Sequence, residues 1–200
     1  MIHYFITSYP HRWSPSQQVE FALGKGIRWI QLRMKKAPLH EIESEIQKIV
    51  ALKKKFEFTF IVNDFPNLAK IFNADGCHVG KNDIHPYYVR KMLGEDAIVG
   101  FTVNHAADLT DEIAGIINYI GLGPFAYTKT KENLSPVLGE EGIREILSLH
   151  KNLFEKYHLK VFVIGGIQKK DWSVIENIPG VDGMAYSSAL LNESDNYLIK

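Results

Sequence analysis

Two patterns alternate along this chain. Short apolar runs rich in β-branched and aromatic residues stop abruptly at polar ones, and between them apolar residues recur at helical spacing. The clearest case spans Phe58 to Asp83. Phe58–Val62 is predicted as a buried strand, and so is Gly76–Val79. Between them Phe65, Leu68, Ala69 and Phe72 mark a helix over 65–73, with Asp64 placed to cap it. Both strands run into a carboxylate, Asp64 after the first and Asp83 after the second.

The same alternation covers the rest of the sequence. Strands are predicted at Ile2–Thr7, Ile27–Leu32, Ala97–Thr102, Asn118–Leu122, Lys160–Ile164 and Val181–Tyr186. Pro15 opens a first helix through Val19, Ala22 and Leu23, stopped by Gly24 and Gly26. Pro38 begins a longer one with Leu39, Ile42, Ile46, Ile49 and Val50 on one face. Further helices are expected over 86–93, 105–116, 140–157 and 169–177, while little chain remains after Ser188 for a last one. The polar stretch from Gly123 to Gly139, punctuated by Pro124 and Pro136, reads as a long loop and, with Lys129 and Lys131 in it, as a lid over an anionic ligand.

Eight strands alternating with helices, each nearly continuous in apolar residues, predict a parallel sheet covered by helices. Eight repeats favour closure into a single α/β domain, a (β/α)8 TIM barrel over residues 1–200, short for that fold. If neighbouring strands are parallel, Asp64 and Asp83 emerge side by side at the carboxyl edge, where such barrels keep their active sites.

Composition narrows the partners. Lys and Arg total 23 and Asp and Glu total 23, so no general attraction to nucleic acid or an anionic membrane is expected, and any basic site must be local. The single cysteine, Cys77, falls inside a strand and reads as a small buried hydrophobe. No apolar run approaches bilayer length, and the first residues enter a strand without a basic region or cleavage signal. A cytoplasmic protein is the expectation, with a homo-oligomer left open.

The strand ends carry a specific polar inventory. Strand two supplies Gln31, Arg33 and Lys35; strand three, Asn63 and Asp64; strand four, Asp83; strand five, Thr102. The loop after strand six supplies Thr128, Thr130 and Lys131, and strands seven and eight supply Gly165-Gly166 and Ser187-Ser188. Two hard oxygen ligands beside a cationic cluster suit a Mg²⁺ ion carrying a phosphate-type ligand. Arginine offers a planar fork, lysine a point charge, and glycine amides a cradle for an oxyanion. Each residue has a plainer alternative: Asp64 as a helix cap, Asp83 as a turn residue, the glycine pair as a turn, Arg33 and Lys35 as a solvated loop. His78, His85 and His105 flank strand ends and read as packing or capping residues.

Taken together, these strand ends resemble the thiamine phosphate synthase family, also called thiamine-phosphate pyrophosphorylase. The resemblance runs through Gln31-Leu-Arg-Met-Lys35, Val62-Asn-Asp64, Ala74 to Gly80 with Asp83, and Gly121-Leu-Gly-Pro124. It continues through Thr128-Lys-Thr-Lys131, Ile164-Gly-Gly-Ile167 and Asp182 to Ala189. It implies a transferase that joins hydroxymethylpyrimidine diphosphate to hydroxyethylthiazole phosphate, releasing pyrophosphate. It further implies Mg²⁺ on Asp64 and Asp83, with the diphosphate on Arg33, Lys35, Asn63 and Lys131. Arg33, Lys35 and Lys131 would carry the catalytic charge, with Gln31 near the pyrimidine. Thr102 stands where the family commonly has a serine that donates to the diphosphate. Thr128, Thr130, Gly166, Ser187 and Ser188 would hold the thiazole phosphate. Two other departures stand out: Lys81 replaces a common glutamine, and Phe125-Ala-Tyr127 lacks the usual aromatic–proline pair. A thiazole tautomerase of similar fold is the nearest rival, although such enzymes typically lack the paired acids. A non-catalytic barrel binding a thiazole or thiamine phosphate is another.

Overall fold

The structure is a computed structural model that describes residues 1–127 and 136–194. Its strands are β1 (Ile2–Ile6), β2 (Trp29–Leu32), β3 (Thr59–Asn63), β4 (Gly76–Val79), β5 (Ile98–Val103), β6 (Tyr119–Leu122), β7 (Lys160–Ile164) and β8 (Gly183–Tyr186). All neighbouring pairs are parallel, and β8 closes onto β1 to complete a (β/α)8 barrel, as the alternation predicts.

The helices are α1 (Pro15–Gly24), α2 (Leu39–Leu52), α3 (Pro66–Ile71), α4 (Pro86–Leu93), α5 (Asp111–Ala114), α6 (Gly139–Leu149), α7 (Lys151–Tyr157), α8 (Trp172–Glu176) and α9 (Ser188–Ser194). Ser14 caps α1 by accepting from the Gln17 amide, and its own amide donates to the Gln17 side chain.

Four expectations are corrected. The predicted 105–116 helix is a 3₁₀ turn at Ala106–Asp108 followed by α5, because Asp108 accepts from the amides of Asn104 and His105 and Thr110 then caps afresh. The 140–157 helix breaks at His150, whose imidazole reaches across to the Ala106 carbonyl at 2.8 Å. The 169–177 helix begins as a 3₁₀ turn at Lys169–Asp171. After β8 there is still room for α9.

The core has two compartments. The larger lies between barrel and helices, where Phe60, Val62, Val99, Ile120, Val161 and Val163 meet Leu23, Ile46, Val89, Ile143 and Ile175. The smaller fills the barrel itself. There the rings of Tyr4, Trp29, Tyr119 and Phe162 pack with centroids 5.0 to 5.9 Å apart. Glycine on the neighbouring strand makes room: Gly100 pairs with Tyr119 and Gly183 with Phe162, and a side chain at either would collide with that ring. Above these rings the inward positions turn polar, and the site begins.

Candidate active site

β3 ends in Asn63, and the next residue, Asp64, adopts a left-handed backbone with φ 68. That conformation suits aspartate better than most residues but still costs free energy, of a kind that collects at functional sites. Asp64 therefore does not cap α3; the capping position is Phe65, which makes no side-chain cap hydrogen bond. Asp83 reaches the same place by another route. The turn after β4 closes with the Asp83 amide donating to the Gly80 carbonyl, and the Gly80 amide donating back to Asp83 Oδ2 at 2.8 Å.

Lys35 joins the two acids. Its Nζ lies 3.0 Å from Asp64 Oδ2 and 3.3 Å from Asp83 Oδ1. Burial, partly offset by Lys35, pushes the Asp64 carboxyl up to about 6, and the neighbouring Asp83 charge adds to the rise. Burial pushes Asp83 upward too. For Asp83 the Gly80 amide, a hydrogen bond from Asp64 and the Lys35 charge outweigh it, so that carboxyl sits below its usual range. The pair thus holds one readily lost proton on Asp64.

Arg33 stands beside them, its guanidinium more than half withdrawn from water. Burial lowers its affinity for the proton, while Asp64 and Asp83 act in the opposite sense. Its backbone is pinned by Thr7, whose hydroxyl accepts from the Arg33 amide at 2.9 Å. Thr7 gave no signal in the sequence, because a threonine ending a strand looks like any other.

Three side-chain atoms at this edge are buried without a hydrogen-bond partner: Asn63 Nδ2, Asp64 Oδ1 and Ser187 Oγ. Buried polar atoms are rarely left unpaired, and their convergence at one rim fits a polar ligand. Gly165 and Gly166 both have positive φ, 93 and 70. A side chain at Gly166 would collide with the carbonyls of Ala126 and Tyr127, so this turn admits glycine alone. Phe125 and Ala126 lie on that turn because their backbone amides donate hydrogen bonds to the Ile164 and Gly165 carbonyls, both at 2.9 Å. Asn104, also unanticipated, ties the same region by donating to the Gly123 carbonyl.

The structure brings Arg33, Lys35, Asn63, Asp64, Asp83 and Thr102 to one rim. Gln31 lies deeper, buried, with its amide donating to the Tyr4 hydroxyl at 2.7 Å. Ser188 begins α9 directly after Ser187. Lys81 points away from the acid pair, its Nζ 4.0 Å from Asp108 Oδ1. His85 caps α4, as expected, and His105 opens the 3₁₀ turn. His78 is neither cap nor simple filler: its two ring nitrogens meet Thr102 and Tyr119 inside the barrel. Thr128, Thr130 and Lys131, and most of the expected lid, lie outside the described residues.

Comparison with known proteins then decides the family. The sequence profile of thiamine monophosphate synthase matches residues 3–190. The chain is 40% identical over 192 residues to the thiamine-phosphate synthase of Phocaeicola vulgatus, covering 96% of this chain and 90% of that protein. It is also 40% identical over 191 residues to the thiamine-phosphate synthase of Bacteroides thetaiotaomicron, with the same coverage of 96% and 90%. The chain belongs to the thiamine monophosphate synthase family.

As a thiamine monophosphate synthase family member it is a transferase of thiamine biosynthesis, working on small molecules. Its fold is shared by a solved thiamine phosphate pyrophosphorylase from Pyrococcus furiosus, 24% identical, with a TM-score of 0.78 over 100% of this chain and 97% of that one. Among the described residues no helix is long and apolar enough to cross a membrane. Nor does any cluster of three acidic, histidine or cysteine side chains suggest a metal cage built by protein alone. Two carboxylates without a third are the donor set magnesium uses when phosphate oxygens and water complete its shell.

Proposed function

We propose that the chain joins hydroxymethylpyrimidine diphosphate to hydroxyethylthiazole phosphate, with Mg²⁺ held by Asp64 and Asp83, giving thiamine phosphate and pyrophosphate. The observation that carries this is the convergence of Asp64 and Asp83 on one lysine, Lys35, with Arg33 alongside. Paired acids among cations at a barrel rim suit a diphosphate. The unpaired Asp64 Oδ1 and the hard carboxylate donors fit a magnesium ion, and a thiazole isomerase would have no use for them.

In this reaction the bond between the pyrimidine methylene carbon and the diphosphate oxygen breaks. Its electron pair leaves with pyrophosphate, the pyrimidine amino group stabilises the cation left behind, and the thiazole nitrogen supplies the pair for the new bond. No strong base is needed, which agrees with the absence of a catalytic dyad among the described residues at the rim. Bound Mg²⁺ supplies fixed positive charge against the leaving oxygens. Arg33 offers two parallel donors to phosphate oxygens, and Asp64 and Asp83 favour its charged form against the cost of burial. Lys35 already faces the acids and needs only a small displacement to reach a diphosphate lying on them. Asn63 Nδ2, buried and unpaired, can donate to the same ligand. Thr102 offers a hydroxyl from β5. Ser187 Oγ and the Gly165-Gly166 turn, on adjacent strand ends, suit the second phosphate.

Incubation with both substrates and Mg²⁺ should release pyrophosphate in step with thiamine phosphate, and EDTA should stop it. Asp64→Asn and Asp83→Asn should each lose roughly 10²-fold or more in kcat while circular dichroism stays unchanged, by analogy with removing preorganised charge stabilisation. Full turnover in EDTA, or in either variant, would remove the metal from this assignment.

A further inference from the structure

A line of hydrogen bonds runs up the inside of the barrel to the rim. Gln31 Nε2 donates to the Tyr4 hydroxyl at 2.7 Å, and the Tyr4 and Tyr119 hydroxyls are 2.8 Å apart. Tyr119 then meets His78 Nδ1 at 3.1 Å, and His78 Nε2 meets Thr102 Oγ1 at 2.9 Å. All five side chains are buried. The line crosses from β2 to β1, over to β6, on to β4 and out to β5, so five strands contribute one residue each.

The sense of this line is fixed by counting protons. An amide nitrogen can only donate, so the Tyr4 oxygen accepts from Gln31. The one other partner of the Tyr4 hydroxyl among the described residues is Tyr119, so the Tyr4 proton goes there. Were Tyr119 to donate to Tyr4 instead, the Tyr4 proton would be buried with no acceptor, which is costly. Both phenols keep their protons, since burial raises each well above its ordinary value. The Gln31 amide also acts on Tyr119 as a donor, so the Tyr119 oxygen accepts from Gln31 and Tyr4 and its own proton goes to His78 Nδ1. A neutral imidazole that accepts at Nδ1 carries its hydrogen on Nε2 and donates it to Thr102. Thr102 Oγ1, having accepted, finds no acceptor for its own proton among the described residues and can donate it to a ligand.

That hydroxyl lies near Asp83. A side-chain carbon built on Gly80 would lie 3.1 Å from Asp83 Oδ2 and 3.9 Å from Thr102 Oγ1, so the two groups flank the same glycine. We propose that His78 is a positioning residue: held in its Nε2–H tautomer by Tyr119, it keeps the Thr102 hydroxyl turned outward as a donor to the substrate diphosphate. The opposite tautomer would draw the Thr102 proton back to the ring and present lone pairs to an anion. This inference rests on the proposal that Thr102 serves the diphosphate.

The tautomer can be read directly in the ligand-free protein. Long-range proton–nitrogen NMR on protein labelled at its histidine nitrogens, with the His78 signals assigned from a His78→Gln sample, should show Nε2 protonated and Nδ1 bare. Tyr119→Phe, which keeps the ring and removes the hydroxyl, should shift the signals toward a mixture of tautomers. The same variant should raise KM for the diphosphate substrate several-fold, and His78→Gln, whose amide can still donate to Thr102, should retain more activity than His78→Phe. In a Thr102→Val background Tyr119→Phe should have no further effect on KM. A protonated Nδ1 in the wild-type spectrum, or a Tyr119→Phe effect that persists without the threonine hydroxyl, would overturn the positioning role. If instead Thr102→Val binds and turns over diphosphate like wild type while the Nε2–H tautomer is observed, what fails is the assignment of Thr102 to the diphosphate.

Discussion

Lys35 Nζ sits 3.0 Å from Asp64 Oδ2, with Asp83 only slightly further, so without a ligand the lysine is the cation that neutralises the acid pair. A divalent ion bound by the same oxygens must displace it. On the proposed assignment the lysine would oppose the bare ion and, once a diphosphate is present, support it. Lys35→Ala should bind Mn²⁺ alone more tightly than wild type and Mn²⁺ with pyrophosphate more weakly. Electron spin resonance of the free ion reads both titrations. Shifts of the same sign in the two would mean that lysine and metal do not compete.

The raised Asp64 carboxyl has a consequence for stability. Its value in the folded metal-free protein is about 6 against an ordinary 3.8, so folding favours the protonated form. The stability this contributes is complete below about pH 3.8 and is lost as pH rises through about 6. Asp64→Asn cannot ionise and should therefore melt higher than wild type in EDTA above pH 6, the gap narrowing toward pH 4. Equal gaps at pH 4.5 and pH 7.5 would show that Asp64 is not destabilised by ionisation.

At the opposite end of the barrel Arg90 holds several loops together. It donates to the carbonyls of Gly94, Glu95, Ala97 and Ile116 and to Asn118 Oδ1, at 2.6 to 3.2 Å, and is buried. Arg90→Met keeps the aliphatic stem and leaves those oxygens unmatched. It should cost about 3–5 kcal/mol, a melting shift of roughly 10 °C, with kcat per folded molecule unchanged. A melting point within a degree of wild type would contradict that role.

Gly166 offers a test of the rim that involves no charge. Gly166→Ala forces a methyl into the Ala126 and Tyr127 carbonyls at a backbone angle alanine resists. The segment 125–127 should be pushed outward, raising KM for the thiazole phosphate at least tenfold while pyrophosphate affinity with Mn²⁺ changes little. Equal losses for both ligands would mean that this turn belongs to the diphosphate side.

The barrel was legible in the sequence because parallel strands buried on both faces leave long apolar runs, and eight of them leave few architectures. Asp64, Asp83, Arg33 and Lys35 were legible because each follows such a run, and strand ends converge by construction. Boundaries inside the longer helical stretches were not. The breaks near Asp108 and His150 come from side chains bonding to backbone, by Asp108 at short range and by His150 to the distant Ala106 carbonyl. The interior line through Tyr4, Tyr119 and His78 was hidden for a different reason. A tyrosine or histidine within an apolar strand looks like core until its neighbours across the barrel are known, and those neighbours are up to 115 residues away.

The four aromatic rings packed across the barrel act as a floor. Their contacts fill the bore toward its amino-terminal end, where Trp29 and Tyr119 open their strands, and Gly100 and Gly183 leave room for two of the rings. The acids and Lys35 at the carboxyl rim therefore stand over packed side chains rather than over an open bore. A ligand held at that rim would rest on this floor, so a substitution that loosens the ring packing would reach the site from below without touching any of its charges.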